Sequence, residues 1–284
     1  MTYGLPYMGS KSRICDWLMA NLPSAETFVD LFAGGCAVTH AALLSGRYKR
    51  VIANDIQGEV VELFQRAITT GLNQDDYAPI SRDEFFLRAP HDALVRLVWS
   101  FGNRGDTYLY GEDIEKQMLA IHALITDCSL KKRYAEWHHV VTSGAFRERS
   151  RLDLIQSVAS LVRISEIYKC KKFSSCLFVS SCSYELCRVP KNSVVYADPP
   201  YSGTASYNGN TFDNESFYNY LRNVPFPVYV SEYTMPDDFV CINATDRTDT
   251  FSSVSSERVT ERLFLHERFA TRNENIELNF DPQP

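Results

Sequence analysis

The N-terminal quarter of the chain contains a pattern of segments that restricts the fold more than any other feature of the sequence. An apolar run of strand type at residues 27–31 leads into Gly34 and Gly35, and a segment of helical composition follows. A second short strand at residues 50–53 precedes an acidic residue, Asp55. Strand, glycine turn, helix, strand and acidic residue in this order are typical of the front half of a nucleotide-binding α/β domain.

This α/β pattern stops after residue 70 and resumes after residue 172. Helical composition dominates between these points, most clearly at 112–126 and in the period-3.6 segment 152–168. Further strands are predicted at 193–197, 227–231, 239–243 and 262–266. We therefore expect one sheet domain formed by residues 1–70 and 173–284, interrupted by a largely helical insertion at 71–172.

The charges of the chain are unevenly distributed. The formal net charge is −6, which by itself argues against a polyanion as partner. Residues 128–172, however, carry ten basic and four acidic side chains, a local net charge of +6. This basic block leaves nucleic acid binding open, although a solvated helix face explains it equally well.

Length, hydropathy and cysteine spacing exclude several classes of protein. The 284 residues, 45% of them hydrophobic, are enough to bury a large core. No segment approaches the ~20 apolar residues of a membrane span, and the N-terminus lacks the apolar stretch of a signal peptide. The eight cysteines show no C-x-x-C spacing and no accompanying histidines. We expect a cytoplasmic protein with reduced thiols, no membrane association and no structural metal.

The strongest chemical signal is Asp198-Pro199-Pro200-Tyr201, directly after the predicted strand 193–197. Open α/β sheets bind ligands at the carboxyl ends of their parallel strands. The two prolines remove two N–H donors and leave carbonyl oxygens as acceptors beside an aromatic ring. Such acceptors suit the amino group of a flat heterocycle, for example a base flipped out of a duplex. A simple turn at the end of the strand is the alternative.

The glycine turn after the first strand predicts a ligand site of another kind. Its sequence, Phe32-Ala33-Gly34-Gly35, lacks the G-x-G-x-x-G spacing of pyrophosphate binding, which favours a cofactor without phosphates. Asp55 is placed to bind ribose hydroxyls, and Asp30 could bind the ammonium of an amino-acid group. An N-terminal loop with Tyr7 and Lys11 could close over this cofactor. A tight turn with a helix cap is the simpler alternative.

Taken together, these motifs resemble those of the Dam-like (D12 class) adenine-specific DNA N6-methyltransferases, particularly phage-type members. The similarity lies in the order of a P-Y-x-G-x-K loop, F-A-G-G, N-D, an inserted region and D-P-P-Y. The S-F-G-N stretch at 100–103 and the S-E-Y-T-M-P stretch at 231–236 are also similar, as are Thr204, Tyr207 and Phe212. Ser183 departs from the pattern, because the family usually has a carboxylate there.

The resemblance implies a class I S-adenosylmethionine-dependent methyltransferase fold, which is Rossmann-like. Its seven-stranded sheet is mostly parallel with the last strand antiparallel, and it carries an inserted target-recognition domain. The implied cofactor is S-adenosylmethionine, with S-adenosylhomocysteine as product and no metal. The implied cofactor-binding residues are Tyr7, Lys11, Asp30, Phe32, Ala33, Gly34, Gly35, Asp55, Ser183, Tyr184 and, through its backbone, Asp198. The implied catalytic residues are Asp198, Pro199, Pro200 and Tyr201.

Double-stranded DNA is the implied partner, and the insertion at 71–172 is the region expected to bind it. The candidate phosphate contacts are basic residues of the block, namely Lys131, Lys132, Arg133, Arg147, Arg149 and Arg151. Asn103, Arg104 and Tyr108 are candidates for reading base edges or filling the gap left by a flipped base. A plain surface role stays open for each of them.

Two other functions remain open at this point. An amino methyltransferase acting on cytosine N4, on RNA or on a protein glutamine shares the arrangement of acceptor, two prolines and aromatic ring. Aspartate rather than asparagine at Asp198 favours DNA adenine among these. A DNA-binding protein that has lost catalysis is the second alternative, and the presence of Asp30, Gly34, Asp55 and Tyr201 argues against it. We expect a stand-alone monomer or weak dimer, with a separate restriction partner left open.

Overall fold

The fold is built on one mixed β-sheet. We describe it from a computed structural model, which covers residues 2–126, 148–200, 212–250 and 256–270. Seven strands within these residues are arranged in the order β3-β2-β1-β4-β5-β7-β6. Their bounds are β1 Thr27–Asp30, β2 Arg50–Asn54, β3 Leu177–Ser180, β4 Ser193–Ala197, β5 Val228–Glu232, β6 Phe239–Thr250 and β7 Ser256–His266. β1 to β5 are parallel, and β7 is antiparallel to both of its neighbours. The predicted α/β methyltransferase fold is confirmed.

The central strands bring three acidic residues to one edge of the sheet. All four residues of β1 are buried, as are the last four of β4, because helices cover both faces. The register pairs Asp30, the last residue of β1, with Ala53 of β2 and Tyr196 of β4. Asp55 and Asp198 follow β2 and β4 directly. Since these strands are parallel, all three carboxylates lie at the carboxyl edge, as predicted for ligand binding.

The strands at the two ends of the sheet differ from the sequence predictions. β3 is absent from those predictions, because it is an edge strand whose Phe178 is 47% exposed and which lacks a long apolar run. β6 and β7 are longer than the predicted segments 239–243 and 262–266. Only three residues of β7 pair with β5, whereas β6 and β7 pair with each other up to Thr250 and Ser256. Their outer part is therefore a two-stranded ribbon.

Helices pack on both faces of the sheet. Their bounds are α1 Cys15–Asn21, α2 Ala37–Ser45, α3 Gly58–Thr69, α4 Arg82–Arg88, α5 Ala93–Val98, α6 Glu115–Thr126, α7 Glu148–Ile167, α8 Asn214–Asn223 and α9 Glu267–Ala270. Alternate residues of β1 point to opposite cores, with Phe28 on one side and Val29 on the other. Among the described helices, none combines the length and the hydropathy that a membrane span requires. The described cysteines are free thiols.

The helices between residues 71 and 172 share a core with the sheet. The predicted apolar face of α7 is formed by Leu154, Val158, Leu161 and Ile164, all of which are buried. This face packs against α3 and α5, and its side chains join the same hydrophobic cluster as Phe28 of β1. In its described part, this region therefore extends the core on one face of the sheet.

The N-terminal segment is tied to both the glycine turn and α7. Arg163 of α7 donates hydrogen bonds to the carbonyl oxygens of Tyr3 and Gly4, the latter at 2.9 Å. Burial lowers the pKa of His40 to about 4, so the neutral ring can accept a hydrogen bond from Gly4 N at 3.0 Å. Gly4 has φ +69°, and a Cβ there would lie 2.4 Å from the Gly35 carbonyl oxygen. The segment that carries Tyr7 and Lys11 is thus anchored at its start.

Candidate active site

Hydrogen bonds from two backbone amides hold the glycine turn after β1 in place. Ala33 N donates to the Asn54 carbonyl oxygen at 2.8 Å, and Gly34 N donates to Asp55 Oδ2 at 2.8 Å. Tyr7 lies so close to the turn that a Cβ on Gly35 would come within 2.4 Å of Tyr7 Cβ. The structure therefore brings Tyr7, Gly34 and Gly35 together, as the motif predicts. Because Gly35 has no Cβ, the Tyr7 side chain can pack directly against the backbone of the turn.

Asp55 supports the same turn from the end of β2. Besides the bond from Gly34, its Oδ1 accepts a hydrogen bond from Gln57 N at 2.9 Å. Burial raises the pKa of Asp55, and the two backbone donors act in the opposite direction because they favour the charged carboxylate. A half-buried carboxylate held by two amides is a well-oriented acceptor, which fits the predicted role in binding hydroxyl groups.

Asp30 is the most deeply buried of the three strand-end carboxylates. It is 1% exposed, and its Oδ2 accepts a hydrogen bond from Thr39 Oγ1 at 2.8 Å. Its Oδ1 has no hydrogen-bond partner among the described residues. Burial, with smaller contributions from the nearby charges of Asp198 and Asp55, raises the pKa of Asp30 to about 7. A buried acceptor of this kind is a candidate for binding a cationic or donor group of a ligand.

Asp198 is paired with a residue from the N-terminal loop. Lys11 Nζ lies 2.9 Å from Asp198 Oδ1, and the Lys11 side chain is only 5% exposed. Lys11 begins a short 3-10 turn, Lys11–Arg13, which Ser10 caps by accepting a hydrogen bond from Ser12 N. The sequence predicts Lys11 near the cofactor and Asp198 at the acceptor. The structure joins these two predicted sites through one ion pair.

Two further acids at this ion pair have no role in the sequence predictions. Glu261 of β7 is 0% exposed, and its Oε1 lies 3.2 Å from Lys11 Nζ. Glu232 ends β5, accepts a hydrogen bond from Tyr233 N at 2.8 Å, and is 3% exposed. Burial raises the pKa of Glu232 to about 7, and the charges of Asp198 and Glu261 add to the rise while Lys11 opposes it. Neighbouring negative charge is thus a feature of this end of the sheet.

A sequence signal for Glu261 does exist. It alternates along β7 with Leu263 and Leu265, both fully buried, so it lies on the face that points into the protein. A charged residue at an inward position of a strand needs a partner, and that requirement could have identified it. For Glu232, the S-E-Y-T-M-P stretch contains the residue without indicating its contacts.

Aromatic side chains form a cluster beside the glycine turn. The Phe32 ring lies 5.3 Å from the Tyr184 ring and 5.7 Å from the Phe212 ring, measured between centroids. Phe217 of α8 packs edge-on against Phe32 and Tyr184. Ser183 is half-buried and precedes the short 3-10 turn Tyr184–Leu186. The predicted residues Phe32, Ser183 and Tyr184 therefore lie together on one side of the turn.

The stretch from 99 to 111 forms a short hairpin. Ser100 and Tyr108 form an antiparallel bridge. Tyr108 is 3% exposed and donates its hydroxyl to the Ile80 carbonyl oxygen at 2.7 Å, so a DNA contact would require this bond to break. Asn103 donates to the Leu97 carbonyl oxygen and to Ser160 Oγ. The Arg104 side chain is 56% exposed, which leaves it accessible.

Several predicted site residues fall outside the described part of the chain. They are Tyr201, Lys131, Lys132, Arg133 and Arg147, together with Thr204 and Tyr207 of the resemblance. Arg149 and Arg151 belong to α7, and their side chains are not in the described part. Pro199 is buried and Pro200 is half-buried directly after Asp198.

One known protein family matches most of the chain. A family model of the D12 class N6 adenine-specific DNA methyltransferases matches residues 7–237. The chain belongs to this family. The match includes Tyr7, the glycine turn, the hairpin and Asp198, whereas β7 with Glu261 lies beyond it. The enzyme is an adenine-specific DNA methyltransferase, as the resemblance implies, and its phage-type character stays a prediction.

The fold also has a distant match among solved structures. The crystal structure of a proposed RNA methyltransferase from Pyrococcus horikoshii aligns with a TM-score of 0.36 and 12% sequence identity. The alignment covers 91% of this chain and 83% of that chain. A likeness this distant has no bearing on the substrate.

In the described residues, no group of His, Cys, Asp and Glu side chains is suited to hold a metal ion.

Proposed function

We propose that the enzyme transfers the methyl group of S-adenosylmethionine to N6 of an adenine flipped out of double-stranded DNA. The observation that carries this proposal is the ion pair of Lys11 and Asp198 beside two further buried acids, Glu232 and Glu261. An amine that is being methylated gains positive charge. A preorganised site with more carboxylates than cations stabilises that charge.

The residues at the ends of β1 and β2 fit this cofactor. S-adenosylmethionine carries an ammonium group and ribose hydroxyls and has no phosphate. The buried Asp30 Oδ1 would accept a hydrogen bond from the ammonium, and Asp55 would accept from the hydroxyls. Gly34 and Gly35 let the Tyr7 side chain pack against the turn, which would place Tyr7 beside the cofactor. Tyr7, Lys11, Phe32, Ala33, Ser183 and Tyr184 would complete the surroundings of the cofactor.

When bound, the cofactor supplies a methyl group that its sulfonium charge has already activated. The protein therefore has to align the acceptor rather than create an electrophile. Such alignment contributes roughly 7–11 kcal/mol to lowering a barrier. The rigid placement of Asp198 at the end of a buried parallel strand supports this role, because β4 cannot shift without disturbing both of its neighbours.

Asp198 and Pro199 are assigned to the acceptor amine. The Asp198 carboxylate and the Pro199 carbonyl oxygen would accept the two hydrogens of N6, which favours a pyramidal nitrogen and stabilises its developing charge. Pro199 and Pro200 have no N–H groups that could compete for these acceptors. Tyr201 would stack on the flipped adenine and replace part of the lost base stacking, which is worth about 1–3 kcal/mol per base.

DNA is assigned to the region between residues 71 and 172. We propose that the hairpin contributes Arg104, with Asn103 and Tyr108 as its supports or contacts, and that the basic block contacts phosphates. The residues proposed for phosphate contact are Lys131, Lys132, Arg133, Arg147, Arg149 and Arg151. The acidic site at the end of the sheet would then receive only the flipped base.

Label transfer followed by nucleoside analysis tests the proposal. The enzyme is incubated with S-adenosylmethionine that carries a tritiated methyl group and with double-stranded DNA, single-stranded DNA, RNA or protein. We expect label in N6-methyladenine from double-stranded DNA. Label in N4-methylcytosine, in RNA or in protein glutamine would show that the methyl acceptor is that group and not adenine N6 of double-stranded DNA. DNA binding without any transfer would indicate a protein that has lost catalysis.

A further inference from the structure

Glu261 reaches the active site from a strand that the family match does not include. β7 lies beside β5 in the antiparallel direction, with Arg262 opposite Glu232. Glu261 therefore lies one residue beyond the paired segment, at the edge of the sheet where Asp198 follows β4. The matched family range ends at residue 237. No motif in that range assigns Glu261 a role.

Glu261 forms an ion pair with the Lys11 ammonium. Lys11 Nζ is 3.2 Å from Glu261 Oε1 and 2.9 Å from Asp198 Oδ1, so one cation lies between two carboxylates. The exposed fractions are 5% for Lys11, 0% for Glu261 and 18% for Asp198. Because water is largely excluded, these charges act on each other more strongly than charges at a surface would.

The backbone of the Lys11 turn does not depend on Glu261. Ser10 caps the turn, Tyr3 N donates to Ser12 Oγ at 2.8 Å, and Cys15 Sγ donates to the Lys11 carbonyl oxygen at 3.3 Å. These bonds position the main chain of the turn. Glu261 acts on the end of the Lys11 side chain, which is the part that contacts Asp198.

The charge balance explains why a second carboxylate is useful here. A pair of Lys11 and Asp198 alone is neutral overall and offers little to an amine that is becoming positive. With Glu261 the three groups carry a net charge of −1 when each has its ordinary charge. The site then keeps negative charge where the proposed reaction needs it. The charges of Asp198 and Glu261 also contribute, after burial, to the rise of the Glu232 pKa to about 7.

We propose that Glu261 is a positioning residue for methyl transfer: it shares the Lys11 ammonium with Asp198, which fixes Lys11 and preserves the negative charge of Asp198 for the adenine amine. The inference rests on the proposed function, since it assigns the acceptor amine to Asp198. It adds a residue that acts through Lys11.

The test compares Glu261→Gln with the wild-type enzyme. The two measurements are the single-turnover rate of methyl transfer at saturating S-adenosylmethionine and DNA, and the dissociation constant of S-adenosylmethionine from calorimetry. We expect the rate to fall about tenfold or more, while cofactor affinity changes far less. Glu261→Asp keeps the charge and should recover part of the rate. Glu267→Gln, the same change at an exposed position after β7, is the control.

A double-mutant cycle with Lys11→Met separates positioning from a general structural role. If Glu261 acts through Lys11, adding Glu261→Gln to Lys11→Met causes no further fall in rate and raises the melting temperature, because a buried carboxylate that has lost its lysine partner is removed. This stability coupling can be read without any activity. The melting temperatures of Lys11→Met and of the double variant can be compared even if Glu261→Gln alone does not fold.

Two results would overturn the inference. One is a Glu261→Gln rate within about twofold of the wild type, and the other is an equal fall in both backgrounds of the cycle. The nucleoside analysis of the wild-type enzyme keeps this failure distinct from failure of the proposed function. Wild-type N6-methyladenine together with either result removes the role of Glu261 alone. Absence of that product from the wild type removes the proposed function and the inference with it.

Discussion

The two halves of the active site hold their carboxylates in different ways. At the ends of β1 and β2, Asp55 accepts hydrogen bonds from two backbone amides and Asp30 accepts one from a threonine hydroxyl. Directly after β4 and within β7, Asp198 and Glu261 face a lysine instead. We call the first the β1–β2 half and the second the β4–β7 half. Hydrogen bonds orient acceptors without cancelling their charge, whereas an ion pair fixes both the position and the charge balance.

This difference corresponds to two tasks. A cofactor that presents hydroxyls and an ammonium needs oriented acceptors, which the β1–β2 half contains. An acceptor amine that becomes positive needs negative charge in a fixed place, which the β4–β7 half contains. Lys11 belongs to the N-terminal segment that also carries Tyr7, so this segment contacts both halves. The carboxylates of the two halves lie outside this segment, so substitutions of Asp55 or Asp198 can alter one half at a time.

The largest expected effect is that of Asp198→Ala in the β4–β7 half. Loss of the acceptor for the N6 hydrogens should lower the single-turnover rate about a hundred- to a thousandfold, the range found when a main electrostatic group is removed. Tritium transfer to DNA measures this rate. An Asp198→Ala enzyme that keeps substantial activity would contradict the assignment of the amine to Asp198.

In the β1–β2 half, Asp55→Asn should act on cofactor binding rather than on the chemical step. The variant loses the charge that attracts hydroxyl donors and weakens the bond from Gly34 N. We expect the dissociation constant of S-adenosylmethionine to rise about 10- to 100-fold, corresponding to about 1.4–2.8 kcal/mol. The rate at saturating cofactor should stay near that of the wild type. A fall in that rate with unchanged affinity would reverse the assignment of the two halves.

Gly35→Ala tests the contact between Tyr7 and the glycine turn. The added Cβ would lie 2.4 Å from Tyr7 Cβ, so Tyr7 must move away. We expect cofactor affinity to fall several-fold, by about 1 kcal/mol. Gly46→Ala is the matched control, because a Cβ there meets nothing within 4 Å while the φ of +65° makes it unfavourable. The control should lose stability and keep its affinity, and equal loss of affinity in both variants would argue against a specific role of Tyr7.

The pH dependence of cofactor binding should report on Asp30. Its pKa is about 7 in the folded protein, against an ordinary 3.8, so the carboxyl group is protonated in mildly acidic solution. Affinity for the cofactor ammonium should rise with pH and level off above about 7, and Asp30→Asn should abolish the rise. Glu232 also has a pKa of about 7, and Glu232→Gln should leave this profile in place. If the pH dependence of cofactor affinity persists in Asp30→Asn, another group is responsible for it.

The same shift predicts a stability effect of defined sign. The folded protein binds more protons than the unfolded chain between the ordinary pKa of 3.8 and about 7. The stabilisation is therefore complete below that window and is lost as the pH rises through it. Thermal unfolding of the unliganded protein should show this fall, and Asp30→Asn should reduce it. The raised pKa would be contradicted if the stability of the wild type increased over this pH range and that of Asp30→Asn did not.

The smallest effect on the chemical step is expected from Arg147, Arg149 and Arg151. Replacing all three with glutamine should leave the single-turnover rate at saturating DNA unchanged. It should flatten the salt dependence of DNA binding, by about 0.9 in slope for each phosphate that the variant no longer neutralises. The measurement is DNA affinity over a series of salt concentrations. An unchanged slope would remove this part of the basic block from the DNA interface.

The sequence predicts the β1–β2 half better than the β4–β7 half, and the reason is the distance between partners along the chain. Asp30, Gly34 and Asp55 lie within one strand–helix–strand unit, so their proximity follows from local order. The contact of Lys11 with Glu261 joins two positions 250 residues apart in the numbering, and only the pairing of β5 with β7 brings them together. No local pattern encodes that pairing.

Charge counting along the chain has a similar limit. Residues 128–172 carry a net charge of +6, which the sequence interpretation assigns to DNA contact. Arg163 belongs to this block, yet it is half-buried and donates its hydrogen bonds to the carbonyl oxygens of Tyr3 and Gly4. The charge that faces outward is therefore smaller than the count, because a composition does not record which way a side chain points.

Cofactor titration of two variants side by side tests the division of the site most directly. Calorimetry with S-adenosylmethionine is performed on Asp55→Asn and on Asp198→Ala under the same conditions. The division into halves predicts that Asp198→Ala binds the cofactor nearly as well as the wild type while Asp55→Asn binds it about 10- to 100-fold more weakly. Equal loss of affinity in the two variants would contradict it.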